Sequence, residues 1–528
     1  MEKEVAKKTE NGEKFWQKYR TAIMVVAIFA IYLMIQLRYI GDTWFDPDEL
    51  DIYGTAFEMV KGKVLYKEIC SQHMPVSYFI SAFFYILGAH STVLQRLYFY
   101  IAFAALWTAY IFIYKKYVNK WVLFLQPFLF FAIIQNLEWG TQIISEHIAV
   151  MGVQMLLLEF LMFLEKRDIS LASCIRISIG ILLSFGTMFI NIYAVFYLAI
   201  GVIALEIAWY KVSRPYIVKF AKLVLIVAVP WLIILIYMLA THSVSDFVMG
   251  AYTINREYYP KYMVGIGSSP TSMFDVGITR TAEYLTGFTF DGLDAFYIVK
   301  LFMVGCMIYM AYRIIKSKGW IAGLTFFMFV SSLGLRGFFG FHSIAYIGAA
   351  TLVTTYVMVE YMFESKEVYA KKPVISKAFL AVIAALFIAF FSANLHYMLH
   401  FLKMEDMNGY KEDVKIVQTI TDEEERIWQT NTCNSVSWGS LRVTTGPTVS
   451  TPYMWEAIGT EKMESFKNAP TRVVIFEEDY ESFGLRMQDY APEAYTYITD
   501  NYSVVPGSDQ IWVRNDYYDE ACAKLGIN

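Results

Sequence analysis

The stretch TAIMVVAIFAIYLMIQLRYIGDTWFDPDELDIYG, residues 21–54, decides how the rest of the chain is read. Residues 21–40 carry one charge, Arg38. As a helix they are long enough to cross about 30 Å of hydrocarbon. The run is too long for a signal-peptide core and no small-residue cleavage site follows, so it is expected to be a retained anchor. Three acids then arrive at once: Asp46, Asp48 and Glu49. Apolar runs recur as far as residue 396, and the 528-residue chain is 57% hydrophobic and only 17% charged. Those proportions point to a multi-pass membrane protein. The net charge of −4 says little, because topology follows the placement of Lys and Arg.

Spanning helices are expected near 21–40, 95–114, 121–137, 147–164, 169–190, 192–209, 221–240, 295–312, 319–335, 342–363 and 377–396, about eleven in all. With this assignment Lys115, Lys116 and Lys120, Lys166 and Arg167, Lys211 and Arg214, Arg313, Lys316 and Lys318, and Lys366, Lys371 and Lys372 share a side with the basic N-terminal tail. That side is read as cytoplasmic. Val76–Gly88 is apolar but too short to span. Counting it would invert every later loop, so it is expected to be a juxtamembrane or re-entrant helix on the outer face. From Met404 onward the chain turns polar. TRVVIF (471–476) and QIWV (510–513) read as strands, and Glu493–Tyr502 as a helix following Pro492. The expected organisation is a cytoplasmic tail (1–20), a membrane domain (21–400) and a small extracytoplasmic α/β domain (401–528). There is no internal repeat, and no basic patch outside the cytoplasmic loops to suggest nucleic-acid binding. The five cysteines lack metal-ligand spacing; a Cys433–Cys522 disulfide stays open.

The acids have a structural reading first. Asp46 suits an N-cap, Pro47 the first helical position, and Glu49 the third place of a capping box. Leu50, Tyr53, Phe57 and Val60 follow at helical spacing and Gly62 stops the run. Asp48 is not needed for capping. It is either a solvated acid favouring the helix dipole or a working carboxylate at the membrane boundary.

The segment from Asp46 to Arg96 resembles the first outer loop of C-type membrane glycosyltransferases. It is most similar to the branch holding protein O-mannosyltransferases and lipid A aminoarabinose transferase. The residues that carry the resemblance are Asp48-Glu49, Tyr53, Tyr66-Lys67-Glu68, His73-Met74-Pro75, Tyr78, Gly88 and Arg96. Relatives often have a Lys or Gly before Pro-Pro where this chain has Met74-Pro75-Val76, so another cation must meet a donor phosphate here. Glu146 matches a second acid in the next outer loop, with Glu138 an alternative. In LRGFFGFHSIAY (335–346), Arg336 and His342 match an Arg and a His at the outer ends of two late helices. Arg336 breaks the charge rule, which either snorkelling or an anionic lipid phosphate would explain.

The resemblance implies a mainly α, multi-pass bundle and sugar transfer from a polyprenyl-phosphate donor to an envelope glycan, lipid or protein. A single displacement with inversion is the expected route. Asp48 would be the base, with Glu49 and Glu146 orienting the acceptor or holding a divalent ion. Tyr53, His73, Tyr78, Arg96, Arg336 and His342 are expected to bind substrate, Arg336 at the phosphate. No cofactor is assigned; Mg or Mn held by carboxylates is compatible, with Asp48, Glu146 and His147 as metal candidates. Arg256, Lys261 and Arg280 lie in a Tyr- and Gly-rich outer loop that suits a mobile cover. A transporter of a lipid-linked sugar is the alternative. Against it, the acids gather at one face and not at the midplane.

Overall fold

The computed structural model describes residues 2–40, 47–134, 140, 142–210, 214–262, 295–334, 343–363, 411–431, 435–446 and 450–527. Helix α1 (Glu2–Gln36) carries the first apolar run, and α2 (Pro47–Val60) follows the acids. Next come α3 (Val76–Ile86), α4 (Thr92–Tyr114), α5 (Lys120–Ile134), α6 (Ser145–Lys166), α7 (Leu171–Ser184), α8 (Ile192–Trp209) and α9 (Arg214–Ala240). An arm then forms from α10 (Val244–Phe247), a π-helix (Val248–Tyr258) and α11 (Tyr259–Tyr262). The bundle resumes with α12 (Ala295–Lys318), α13 (Trp320–Ser332) and α14 (Ile344–Phe363).

Each expected span coincides with a helix except 377–396, which lies outside the described residues. Among the described residues five helices are long and apolar enough to cross, or six if Val227–Ala240 and Val244–Tyr262, bent by 117°, count as one. Helices α5, α7 and α13 are apolar but shorter. The reason is that apolar composition continues through turns. The run 169–190 passes the end of α7 at Ser184 and enters a 3-10 turn at Phe189–Asn191 before α8. Close helix approach relies on small residues: a Cβ on Gly152 of α6 would sit 2.4 Å from the Gly180 carbonyl oxygen of α7. Helix α3, of 11 residues, is too short to span, as expected.

The polar C-terminal part is an α/β layer. Helices α15 (Lys411–Ile420), α16 (Ser435–Ser440), α17 (Pro452–Asn468), α18 (Met487–Tyr490), α19 (Pro492–Asn501) and α20 (Tyr518–Lys524) surround a sheet. Its strands are β1 (Trp428–Gln429), β2 (Val473–Ile475), β6 (Ile511–Arg514) and β5 (Tyr502–Val504), in that order across the sheet. β1 pairs parallel to β2, and the other pairs are antiparallel. A separate hairpin joins β3 (Glu481–Ser482) to β4 (Leu485–Arg486). The two-residue period of a strand divides the sheet cleanly. Val473, Ile475, Ile511 and Val513 pack with α15 and α20. Val474 and Phe476 face the other way, into a core with Trp428, Phe466 and Ile498. That second core also holds Cys70 and Ile254, from the loop after α2 and from the arm. The sheet therefore shares a core with the membrane part.

Two further contacts lock this docking. Trp438 of α16 inserts among Tyr53, Phe57 and Tyr85, with ring centroids 5.9–6.2 Å apart, and its Nε1 donates to Thr92 Oγ1 at 3.0 Å. Beside it Lys63 pairs with Glu58 at 3.0 Å, while Glu58 accepts from the Thr444 amide at 2.7 Å. Truncating a buried ring costs about 3–5 kcal/mol. A buried ion pair is near zero net after desolvation. Of these two contacts Trp438 contributes the larger part of the energy, and the pair sets the register.

Lys462 of α17 is buried, over the Trp428 and Trp455 rings at 5.8 Å each, and donates to the Gln429 carbonyl at 3.2 Å. Burial, with Lys63 nearby, holds its amine well below the ordinary lysine range. A depressed folded value means the contribution to stability is complete above the unfolded lysine value and is lost as pH falls toward the folded one. The expected outcome is a thermal midpoint that rises from pH 7 to pH 10, with a slope of at most about 1.4 kcal/mol per pH unit from this group. In Lys462→Met the midpoint at pH 7 should rise and its pH response flatten. Identical profiles for the two proteins would refute the assignment.

Candidate active site

Helix α2 presents chemically distinct faces, because successive residues are turned by about 100°. Glu49 and Tyr53, at i and i+4, point into the bundle and are 0% exposed. Arg96 of α4 meets Glu49 as a fork, Nη2 to Oε2 at 2.6 Å and Nε to Oε1 at 2.8 Å. The Tyr53 hydroxyl and the Ile143 amide also donate to Glu49 Oε1, at 2.9 and 3.1 Å. Such a buried pair tolerates its desolvation only because its lone pairs and protons are used. Glu49, Tyr53 and Arg96 therefore lie beneath the site and hold α2 in its rotation, and none of the three lines the cavity described below.

Asp48 and Asp51, at i and i+3, share another face of α2. His73 sits between them, Nε2 3.8 Å from Asp48 and Nδ1 3.7 Å from Asp51. Tyr78 of α3 is the hub below. Its hydroxyl donates to Asp51 at 2.6 Å, lies 2.5 Å from Ser71 Oγ and 3.3 Å from His73 Nδ1. Burial, reinforced by the Asp51 charge, pushes the Tyr78 phenol well up, so it acts as a donor and not as a base. The loop that brings His73 here turns through Tyr66 at φ 71°, a left-handed conformation that side chains rarely adopt. The Tyr66 hydroxyl donates back to the His73 carbonyl at 2.8 Å. The arm covers this loop. Asn255 donates to the Gln72 carbonyl at 2.7 Å, and a Cβ on Gly250 would meet the Ser71 carbonyl oxygen at 2.3 Å, so only glycine fits there.

These groups open into a cavity of about 550 Å³, its mouth included, between α2 and the C-terminal layer. Asp48, Asp51, Gln72 and His73 form one wall, and Asn431, Ser450, Thr451, Tyr453, Met454, Tyr480 and Ser482 the other. The arm fastens that second wall: Lys261 pairs with Glu456 of α17 at 2.5 Å, Tyr262 donates to it at 2.9 Å, and Tyr259 stacks edge-on to Tyr453.

Of the residues singled out in the sequence, Asp48 and His73 meet at the cavity with Tyr78 directly under them. Glu146 is buried in the first turn of α6 and His147 donates from Nε2 to the Gly140 carbonyl at 2.8 Å; neither lines the cavity. Arg256 bonds Tyr252 on the arm. Asp46, Glu138, Arg280, Arg336, His342 and Cys433 lie outside the described residues. Among the described residues no three His, Cys, Asp or Glu side chains gather as a metal site. Sequence reasoning passed over Asp51, although its i+3 spacing from Asp48 was a usable signal. Gln72, Thr451, Tyr453 and Tyr480 had no local signal, since they are hundreds of residues apart or sit in ordinary polar stretches.

No family model matches this sequence, and no curated protein sequence matches it. The fold does find a counterpart. The crystal structure of ArnT from Cupriavidus metallidurans bound to undecaprenyl phosphate is similar over 94% of this chain and 98% of that one, with a TM-score of 0.57 and 11% identity. At that identity the likeness is one of fold. The shared fold, a bundle of apolar helices with a small C-terminal sheet, runs along nearly the whole chain.

Proposed function

We propose that this chain is an integral-membrane glycosyltransferase. It moves a sugar from a polyprenyl-phosphate donor to an acceptor on the face that carries residues 411–527. One observation carries the reading: Asp48, Asp51 and His73 meet at a cavity closed by the C-terminal layer, in a fold shared with a protein solved with undecaprenyl phosphate bound. The basic loops support an orientation with the N-terminus in the cytoplasm and this face outside.

In this scheme the Asp48 carboxylate takes the proton of an acceptor hydroxyl as its oxygen attacks the anomeric carbon. The bond from that carbon to the phosphate oxygen breaks, its electron pair leaving with the polyprenyl phosphate, and configuration inverts. Asp51, held by Tyr78, keeps His73 oriented beside the base. Arg336 remains our assignment for the phosphate contact, where a cation in a low-dielectric site stabilises the leaving group. Glu146 and His342 remain secondary candidates at the same face.

The test is transfer by the purified chain in lipid nanodiscs, using a panel of radiolabelled polyprenyl-phosphate sugars with membrane extract as acceptor. Asp48→Asn is expected to lower turnover at least about 100-fold, the usual range for losing a general base. Tyr78→Phe, which strips a hydrogen bond from Asp51, is expected to cost about tenfold. Equal turnover by wild type and Asp48→Asn would reduce Asp48 to a helix-starting acid. If wild type consumes no donor but carries a lipid-linked sugar across the bilayer, the transporter reading replaces this one.

Glu49→Gln separates positioning from chemistry. It leaves Arg96 buried without its counter-charge, which costs about 3–5 kcal/mol. The expected result is a lower yield and thermal midpoint, with turnover per folded molecule close to wild type. A normal midpoint with lost turnover would return Glu49 to the catalytic set.

A further inference from the structure

We infer that the membrane face opposite the candidate active site carries a site for a phospholipid headgroup with a primary ammonium beside its phosphate, that is, a phosphoethanolamine. The inference rests on the membrane bundle and not on the transferase reading. A second cavity, of about 750 Å³ with its mouth included, lies between the ends of α4, α6, α12 and α14. Helix α6 starts at Ser145, whose Oγ is 3.4 Å from Ser77 Oγ of α3, on the side of the candidate active site. Glu165, which lines the second cavity, comes about 20 residues later on the same helix, so about 30 Å separates the two ends. That is the thickness of the hydrocarbon layer, which puts this cavity at the headgroup level of the far leaflet. Tyr117 and Tyr356 line it, as amphipathic rings do at that depth.

Four charged side chains line the cavity in two pairs. Arg313 Nη2 is 2.6 Å from Glu360 Oε1, and Lys318 Nζ is 3.0 Å from Glu165 Oε1. Both cations belong to α12, and the carboxylates belong to α14 and α6. The signs are thus separated by helix around one space. All four are within reach of a ligand: Arg313 and Glu165 are exposed, and Lys318 and Glu360 half-buried. Pairs this open contribute little net energy, so a ligand that offers each charge its opposite can enter between them.

Donors are also in surplus. A guanidinium has five N–H groups and an ammonium three. Among the described residues Arg313 gives one to Glu360 and one to the Tyr309 hydroxyl at 3.2 Å, and Lys318 meets Glu165. The two free oxygens of a phosphodiester match what remains, and the planar Arg fork suits them. Leu161, Met310 and Ile314 supply an apolar floor for the glycerol end of the lipid. The carboxylates decide the class of headgroup. Glu165 and Glu360 would oppose a headgroup that is only anionic. A quaternary ammonium has no N–H to give them, whereas a primary ammonium donates to both in charge-assisted hydrogen bonds.

The experiment is native mass spectrometry of the full-length chain, released from detergent micelles doped with equimolar dioleoyl phosphatidylethanolamine, phosphatidylcholine and phosphatidylglycerol. At least one phosphatidylethanolamine is expected to stay bound, at least about tenfold in excess of either other lipid. Its N-methyl and N,N-dimethyl derivatives should be retained less at each step, because each methyl removes one N–H donor. Glu165→Gln with Lys318→Gln, which keeps the net charge, should lower the preference at least about fivefold. The methylation series on wild type decides the matter even where that variant does not fold. Equal retention of the three lipids would mean annular lipid only and would overturn the inference. So would preference for phosphatidylglycerol, no retained lipid, a flat methylation series, or full preference in the folded double variant. Selective retention by a chain that consumes no sugar donor would leave the headgroup site standing and remove the transferase reading. An active transferase without selective retention would do the reverse.

Discussion

The buried fork between Arg96 and Glu49 is the constraint on which the site depends. A guanidinium and a carboxylate taken out of water must find each other with good geometry. That requirement fixes the rotation of α2 about its own axis. With Glu49 turned onto α4, helical geometry leaves Asp48 and Asp51 on a different face, toward His73. A slip of α2 by one residue would bury Asp48 or Leu50 against Arg96 in place of Glu49. The pair thus does its work through specificity more than through net stability.

The C-terminal layer is part of the same machine. One face of its sheet packs against Cys70 and Ile254, and Trp438 is seated on the membrane-proximal helices. Apolar contact supplies the energy, and the Glu58–Lys63–Thr444 network chooses the register. The cavity exists only because that docking happens. The arm after α9 closes the third side, and its π-helical turn brings Gly250 against the loop that carries His73.

Much of the fold was readable residue by residue. Long apolar runs mark helices because a membrane offers backbone polar groups no other partner. The strands at 473–475 and 511–514 and the helix after Pro492 sit where alternation and proline put them. The apolar runs were legible as helices but their ends were not, since hydropathy does not register where a helix stops and an apolar turn begins. At the candidate site, the resemblance had singled out Asp48, His73 and Tyr78, which the fold brings together. Glu49 and Arg96 were legible as important residues but not as each other's partners, because they are 47 positions apart. Asp51 could have been found by asking which acid shares a helical face with Asp48.

The sequence by itself determined that this is a membrane-embedded helical bundle with an acid-bearing surface helix and a polar α/β tail, since composition, period and length are local properties. Tertiary structure alone decided which acids face a cavity and which are locked beneath it. It also decided that Thr451, Tyr453 and Ser482 stand across from Asp48. Facing is set by the rotation of one helix and the docking of one layer. Both are outcomes of burying charge and aromatic area between segments hundreds of residues apart, and no local pattern encodes them.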